Sequence, residues 1–154
     1  ALSHLLRYSL MSNDEQVPLA REVRIVDEYY SIYHVRFGDR VKMVWRISDS
    51  LDLTETMVPS FILQPIVENA FKHGTSNDRP SFIRIDIHER GGELVCRIRN
   101  SCFPKTASDR SGSGIGLKNL SKRLEMIYPQ RHTFEYGERG GTYTALLRIK
   151  LHER

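Results

Sequence analysis

The sequence predicts an α+β fold: a two-layer α/β sandwich with helices on one face of a mixed, mostly antiparallel sheet. Apolar residues recur at helical spacing in some segments and alternate with polar residues in others. Gly-Gly pairs separate two pairs of the alternating segments, as in tight hairpins. Alternation also indicates a sheet with one face on helices and one in water, since a doubly covered parallel sheet would show continuous apolar runs.

Length and composition limit the number of domains and the classes of protein to which the chain can belong. The 154 residues are enough for one compact core without staples. No stretch approaches the ~20 apolar residues of a membrane span, and no signal peptide is visible. The net charge of +4 comes from 23 basic and 19 acidic residues mixed along the chain, so no nucleic-acid partner is expected. The two cysteines, Cys96 and Cys102, lack a metal-ligand pattern and are predicted to be free thiols of a cytosolic domain.

The first two predicted elements are helices. Residues 1–11 repeat leucine at helical spacing without a preceding cap, so we expect the end of a longer helix and no natural start at residue 1. A second helix is predicted from Pro18 to about Gly38. Its apolar face holds Leu19, Val23, Val26, Tyr30, Tyr33 and Phe37. The period then changes to two, which predicts a strand over 41–47.

A third helix is predicted from Pro59, which suits a first turn, to Gly74, which suits the position just past a helix end. Its apolar face would hold Phe61, Ile62, Ile66, Ala70 and Phe71. Pro65 would lie inside this helix, remove a backbone donor and bend it.

The polar side of this helix carries Gln64, Glu68 and Lys72. Glu68 and Lys72 form an i, i+4 pair in the favoured order, which an ordinary solvated helix also shows. A purely structural helix does not explain Asn69. The asparagine side chain hydrogen-bonds to nearby backbone groups in competition with the helix, so asparagine is a mediocre helix former. Its amide is therefore a candidate metal or ligand contact.

The remaining patterns predict, in order, strands at 83–88 and 94–99, a helix at 117–127, and strands around Phe134 and over 142–151. The glycine pairs at 91–92 and 140–141 would turn the two hairpins. Residues 101–113 have almost no periodic apolar positions and are predicted to form an exposed loop, and a loop of that length usually has a function.

Glycines alternate where this loop meets the following helix, at Gly112, Gly114 and Gly116, with Leu117 next. Such a backbone can approach a bulky anion closely, and a helix N-terminus adds favourable partial charge. The spacing matches neither the P-loop nor the dinucleotide fingerprint. Phosphate binding is the physical expectation, and glycines of a flexible lid are the alternative.

Together these motifs resemble the GHKL superfamily, whose ATP site is the Bergerat (HATPase) fold. Residues 68–73 resemble its N box, 112–117 its glycine box, and 140–142 its last conserved segment. Further segments resemble the LytS/YehU-type sensor histidine kinases: residues 5–8, Tyr29, 36–37, 64–69, 116–120, 123–124 and Tyr128. The resemblance runs the whole length of the chain.

The resemblance implies a catalytic ATP-binding domain at 39–154 and the end of the dimerisation and connector helices at 1–38. The activity implied is that of a protein-histidine kinase of a two-component system, which binds Mg-ATP and transfers a phosphoryl group to a histidine. That histidine would lie upstream of this chain, because His4 does not match the acceptor motif. The chain alone is therefore expected to be inactive in autophosphorylation.

The resemblance also assigns site residues. Asn69 would bind the Mg²⁺ that bridges the ATP phosphates, and Glu68 would help to polarise the attacking imidazole. The other nucleotide contacts would come from Lys72 and His73 at the phosphates or ribose, from Gly112, Gly114, Gly116 and the Leu117 amide at the phosphates, and from Asn100 and Thr142 at the adenine.

Two positions depart from the superfamily pattern. Asn100 takes the place of the Asp that holds the adenine amino group, although its carbonyl oxygen can still accept that hydrogen bond. Pro65 stands where gyrase-type and chaperone relatives have a water-activating Glu, so ATP hydrolysis is expected to be poor.

The implied partners are a response regulator of the LytTR type and a second copy of the full-length kinase. The chain would be the cytoplasmic domain of a membrane-anchored bacterial sensor, with contact to the membrane only through upstream segments. Two alternatives remain open: a degenerate nucleotide-binding or protein-interaction module, and a GHKL ATPase.

Overall fold

The structure, a computed structural model, describes residues 15–76, 79–102 and 115–151. The elements are β1 (Gln16–Pro18), α1 (Leu19–Phe37), β2 (Val41–Ile47), β3 (Met57–Pro59), α2 (Gln64–Gly74), β4 (Ser81–Arg90), β5 (Glu93–Ser101), α3 (Ile115–Ile127), β6 (His132–Arg139) and β7 (Thr142–Lys150). A 3₁₀ turn joins α1 to β2. The helix predicted at 1–11 and nearly all of the predicted loop lie outside the described residues.

The main sheet has five strands in the order β2-β4-β5-β7-β6. The β2–β4 pair is parallel and the other three pairs are antiparallel. Both predicted hairpins are present, with positive φ at each glycine of their turns. The predicted mixed, mostly antiparallel sheet is confirmed.

The core lies between the helices and one face of this sheet. Alternate strand residues such as Ile83, Ile85 and Ile87 are buried there, which is the period expected when one sheet face is covered. On the opposite face, Asp86 lies 3.3 Å from Arg84 and 3.8 Å from Arg99 in ion pairs. The α+β sandwich is therefore two-layered, as predicted.

Helix α1 packs into the same core as the sheet. Its Leu19 and Val26 are fully buried, and it ends where the amide of Gly38, at a φ of 60°, donates to the carbonyl of His34. Residues on both sides of position 38 thus share one core, and the domain boundary at 38 stays a prediction. No helix in the described ranges is long and apolar enough to cross a membrane.

The predicted start of the third helix is wrong. Pro59 ends strand β3, which pairs with β1, and α2 begins only at Gln64. Phe61 was expected on the apolar face of the helix but lies in a left-handed turn, with a φ of 58°. Pro65 falls in the first turn of α2, where a proline removes no helical hydrogen bond, so its predicted place inside the helix is also wrong.

Candidate functional site

A cavity of about 230 Å³ lies between α2 and α3. Its lining residues are Gln64, Pro65, Glu68, Asn69, Lys72, His73, Gly116, Leu117, Asn119, Leu120 and Arg123. The first turns of both helices border it, and a Cβ at Gly116 would lie 3.9 Å from that of Pro65. First-turn amides have no helical acceptor and carry partial positive charge. The first turn of α3 therefore offers candidate donors to an anionic ligand, whereas Pro65 in the first turn of α2 has no N–H to donate.

Glu68 is held on the side of the cavity that faces α1. The hydroxyl of Tyr29 donates to Glu68 Oε2 at 3.0 Å, and Gln64 Nε2 donates to the same oxygen at 2.6 Å. Gln64 Nε2 also lies 3.0 Å from the Tyr29 hydroxyl, to which it donates. Burial, together with the nearby Glu68 carboxylate, raises the pKa of Tyr29 to about 12, so the phenol keeps its proton.

Lys72 lies exposed at the rim of the cavity. Within residues 15–76, 79–102 and 115–151, its ammonium forms no ion pair, although Glu68 is one helical turn away. An ammonium in this place suits a phosphate, for which lysine acts as a point charge.

Asn69 reaches from α2 to the sheet, where its side chain hydrogen-bonds to the hydroxyl of Tyr143 in β7. Burial raises the pKa of Tyr143, whereas this contact lowers it. The Asn69 amide therefore lies within reach of both the cavity and the Tyr143 hydroxyl.

Asn100 is buried behind the last turn of α2, with an exposed fraction of 1%. Its Nδ2 donates to the carbonyl of Ser101 at 2.7 Å, and Ser101 Oγ donates to the carbonyl of Gly74 at 2.8 Å. Asn100 is not among the residues that line the cavity, so it lies next to the end of α2 but outside that cavity.

The sequence is similar to curated sensor kinases over most of its length. A family model described as histidine kinase matches residues 1–41. YpdA of Escherichia coli is 29% identical over 137 residues, and BtsS of the same species is 34% identical over 140 residues. These matches cover 82% and 88% of this chain. LytS of Streptococcus mutans is 28% identical over 140 residues, or 82% of this chain and 24% of LytS.

The chain is a relative of the LytS-type sensor histidine kinases. It spans about a quarter of the length of the proteins it matches, 24% of YpdA and 23% of BtsS. Among solved structures, the histidine kinase AdeS of Acinetobacter baumannii has a TM-score of 0.64 at 13% identity, over 99% of this chain and 79% of that one. A structure of the histidine kinase ThkA with the response regulator TrrA has a TM-score of 0.59 at 17% identity, over 99% and 47%. These two likenesses show a shared fold.

Most of the predicted site residues of this kinase relative come together. Six of them line the cavity: Glu68, Asn69, Lys72, His73, Gly116 and Leu117. Gly112 and Gly114 lie outside the described residues. Thr142 pairs with Ser101, so it lies on the sheet face opposite Asn100, and Tyr143 takes the place across from Asn100. The roles assigned to all these residues stay predictions.

Sequence reasoning missed the residues that shape the turn before α2 in this kinase relative. Glu22 of α1, with an exposed fraction of 1%, accepts the amides of Phe61 at 3.0 Å and Leu63 at 3.1 Å. Arg123 of α3 donates to the carbonyls of Ser60 at 2.5 Å and Phe61 at 3.3 Å. One sequence signal was available, since Glu22 falls three residues after Leu19 and four before Val26 on the apolar stripe of α1.

The site also fits a magnesium ion. Among the described residues, no three His, Cys, Asp or Glu side chains cluster as a metal site. Mg²⁺ bound to a nucleotide needs few protein ligands, because it keeps several waters and takes phosphate oxygens. Asn69 lines the cavity, and its amide oxygen suits such an ion.

Proposed function

We propose that this chain is the catalytic ATP-binding domain of a sensor histidine kinase and binds Mg-ATP in the cavity between α2 and α3. The observation that carries the proposal is the meeting of Asn69, Lys72 and the first turn of α3 at one cavity. Asn69 would hold Mg²⁺, Lys72 and His73 would face the phosphates or ribose, and Gly116 with the Leu117 amide would bind a phosphate. Magnesium would neutralise phosphate charge during transfer.

The reaction would be phosphoryl transfer to a histidine outside this chain, with Glu68 helping to orient and polarise the imidazole. Pro65 supports transfer over hydrolysis, because it lines the cavity at the position where hydrolase relatives carry a water-activating carboxylate. A proline has no group that could take a proton from water.

Asn100 would serve the adenine end, whereas Thr142 lies on the opposite face of the sheet and has no proposed contact with the nucleotide. The buried Asn100 leaves its Oδ1 as an acceptor for an amino group, while its Nδ2 is used by Ser101. A neutral amide accepts a weaker hydrogen bond than an ionised carboxylate, so the affinity for adenine should be lower than with Asp.

The partner would be a response regulator, of the LytTR type by resemblance, since the structurally similar ThkA has been solved with the response regulator TrrA. Residues 1–38 would contribute the end of the dimerisation and connector helices, consistent with the histidine kinase match over 1–41. The full-length kinase would then be a homodimer with this domain in the cytoplasm, below a membrane anchor.

The test is a calorimetric titration with ATP in magnesium, for the wild type and for Asn69→Ala. The wild type should bind with a Kd below about 1 mM, and Asn69→Ala should weaken binding at least tenfold while the melting temperature stays the same. No heat of binding for the wild type at millimolar ATP would instead favour a degenerate module. Steady release of phosphate that Asn69→Ala abolishes would instead favour a GHKL ATPase.

A further inference from the structure

We propose that Tyr29 and Gln64 are positioning residues that keep Lys72 available for an anionic ligand by holding the Glu68 carboxylate away from it. The inference rests on the proposed function, because the ligand it concerns is the phosphate chain of a nucleotide. It adds a role for a residue of α1, which does not line the cavity.

Without Tyr29 and Gln64, Glu68 would be free to pair with Lys72. Glu68 and Lys72 are four residues apart on α2 in the order that favours an ion pair. Such a pair would place a negative charge beside the ammonium that faces the cavity. In the described residues this pair does not form, and Glu68 instead accepts hydrogen bonds from Tyr29 and Gln64.

The hydrogen bonds of Glu68 to Tyr29 and Gln64 are favoured over an ion pair with Lys72. Two donors converge on the same oxygen, Glu68 Oε2, and hydrogen bonds to an ionised acceptor are stronger than neutral ones. Glu68 is itself exposed, so solvent screens both arrangements. The i, i+4 ion pair would be a single contact that costs side-chain entropy, whereas the observed arrangement has two donors on one oxygen. The carboxylate therefore stays with Tyr29 and Gln64.

Tyr29 is itself fixed. Its ring stacks on Phe71 of α2, with ring centroids 6.2 Å apart. Gln64 Nε2 donates to its hydroxyl, which leaves the hydroxyl proton for Glu68. The phenol thus has one acceptor role and one donor role, and both orient it toward the carboxylate.

The central variant is Tyr29→Phe, which removes the hydroxyl and keeps the ring. Tyr33→Phe is the matched control, since Tyr33 lies one turn further along α1 and its ring also contacts Phe71, at 4.9 Å. No hydrogen bond from its hydroxyl to Glu68 exists among the described residues. The affinity for Mg-ATP and for inorganic pyrophosphate is measured at several salt concentrations.

Tyr29→Phe should lower the affinity for Mg-ATP and for pyrophosphate about two- to fivefold, because Lys72 then pairs with Glu68 part of the time. It should also reduce the dependence of both affinities on salt. Tyr33→Phe should leave both unchanged. In a Glu68→Gln background, Tyr29→Phe should have no further effect, since no carboxylate remains to capture Lys72. Wild-type affinity in Tyr29→Phe, or an equal loss in both backgrounds, overturns the inference.

A second readout does not depend on nucleotide binding. Trace acetylation of Lys72 is measured by peptide mass spectrometry and normalised to Lys122, an exposed lysine of α3. The Lys72 rate should fall about twofold or more in Tyr29→Phe and recover in Tyr29→Phe/Glu68→Gln. A rate that falls in Tyr29→Phe and recovers in the double variant, although the wild type binds no ATP, supports the positioning role and contradicts the proposed function. An unchanged rate in Tyr29→Phe overturns the positioning role.

Discussion

Gly74 and Asn100 lie so close that no side chain fits between them. A Cβ at position 74 would stand 2.8 Å from Asn100 Nδ2 and 2.9 Å from Asn100 Cβ. The contact joins the last turn of α2, which carries the N-box residues, to the end of β5. The glycine is therefore required by packing as well as by its place at a helix end.

Gly74→Ala should destabilise the fold by about 1–3 kcal/mol, because the new methyl group must displace a fully buried side chain. Thermal unfolding should show a melting temperature lower by roughly 3–10 °C. Gly137→Ala is the control, since a Cβ there meets nothing within 4 Å and its effect should stay within about 0.5 kcal/mol. Equal stability of the two variants would contradict the close contact.

Tyr143→Phe should weaken Mg-ATP binding about two- to tenfold, the value of one lost hydrogen bond. Without the Tyr143 hydroxyl, the Asn69 amide loses a contact in β7 that would help to hold its oxygen toward the ligand. Tyr136→Phe on the neighbouring strand β6 is the control. Titration calorimetry measures the affinity of both variants for Mg-ATP. Equal affinities would show that the Tyr143 contact does not position Asn69.

Glu22→Gln should destabilise the fold by about 1–3 kcal/mol, because an amide can replace only one of the two acceptor oxygens used by the turn before α2. Glu28→Gln, at an exposed position of the same helix, should change little. Denaturant unfolding measures both variants. A Glu22→Gln protein as stable as Glu28→Gln would mean that the turn does not depend on this carboxylate.

The stability difference at Glu22 should also depend on pH. Burial is the main cause that raises the pKa of Glu22 above its ordinary value of 4.5, so the folded state keeps the proton to a higher pH than the unfolded chain does. The resulting stabilisation is complete below the unfolded pKa and is lost as the pH rises through the folded pKa. The gap between wild type and Glu22→Gln should therefore narrow as the pH is raised from about 4. A gap that widens instead would contradict the raised pKa.

The strands were predictable because each carries its own signal. Residues 41–47 alternate in the sequence and form β2 over the same range, and the glycine pairs mark both hairpins. The start of α2 was not predictable, because Pro59 and Pro65 both suit a first turn. Long-range hydrogen bonds fix the turn between the two prolines and so determine that α2 starts near Pro65. Glu22 lies 39 residues from Phe61, and Arg123 lies 63 residues from Ser60.

Some residues of the candidate site were predictable from the sequence and others were not. Asn69, Lys72 and Gly116 belong to local motifs, so their meeting could be expected once the motifs were found together. Tyr29 is 39 residues from Glu68 in sequence, and Tyr143 lies on a strand whose register with β5 decides which side chain faces Asn100. Neither contact leaves a local pattern, because each depends on how the elements pack.

Binding of Mg-ATP between α2 and α3 can be located by amide NMR of the protein titrated with a non-hydrolysable ATP analogue in magnesium. The largest shift changes are expected at Asn69, Lys72, Gly116 and Leu117, together with the side-chain amides of Asn69 and Asn100. The same titration of Asn69→Ala should produce much smaller changes. Shift changes confined to the open face of the sheet, around Arg97 and Arg99, would contradict the account.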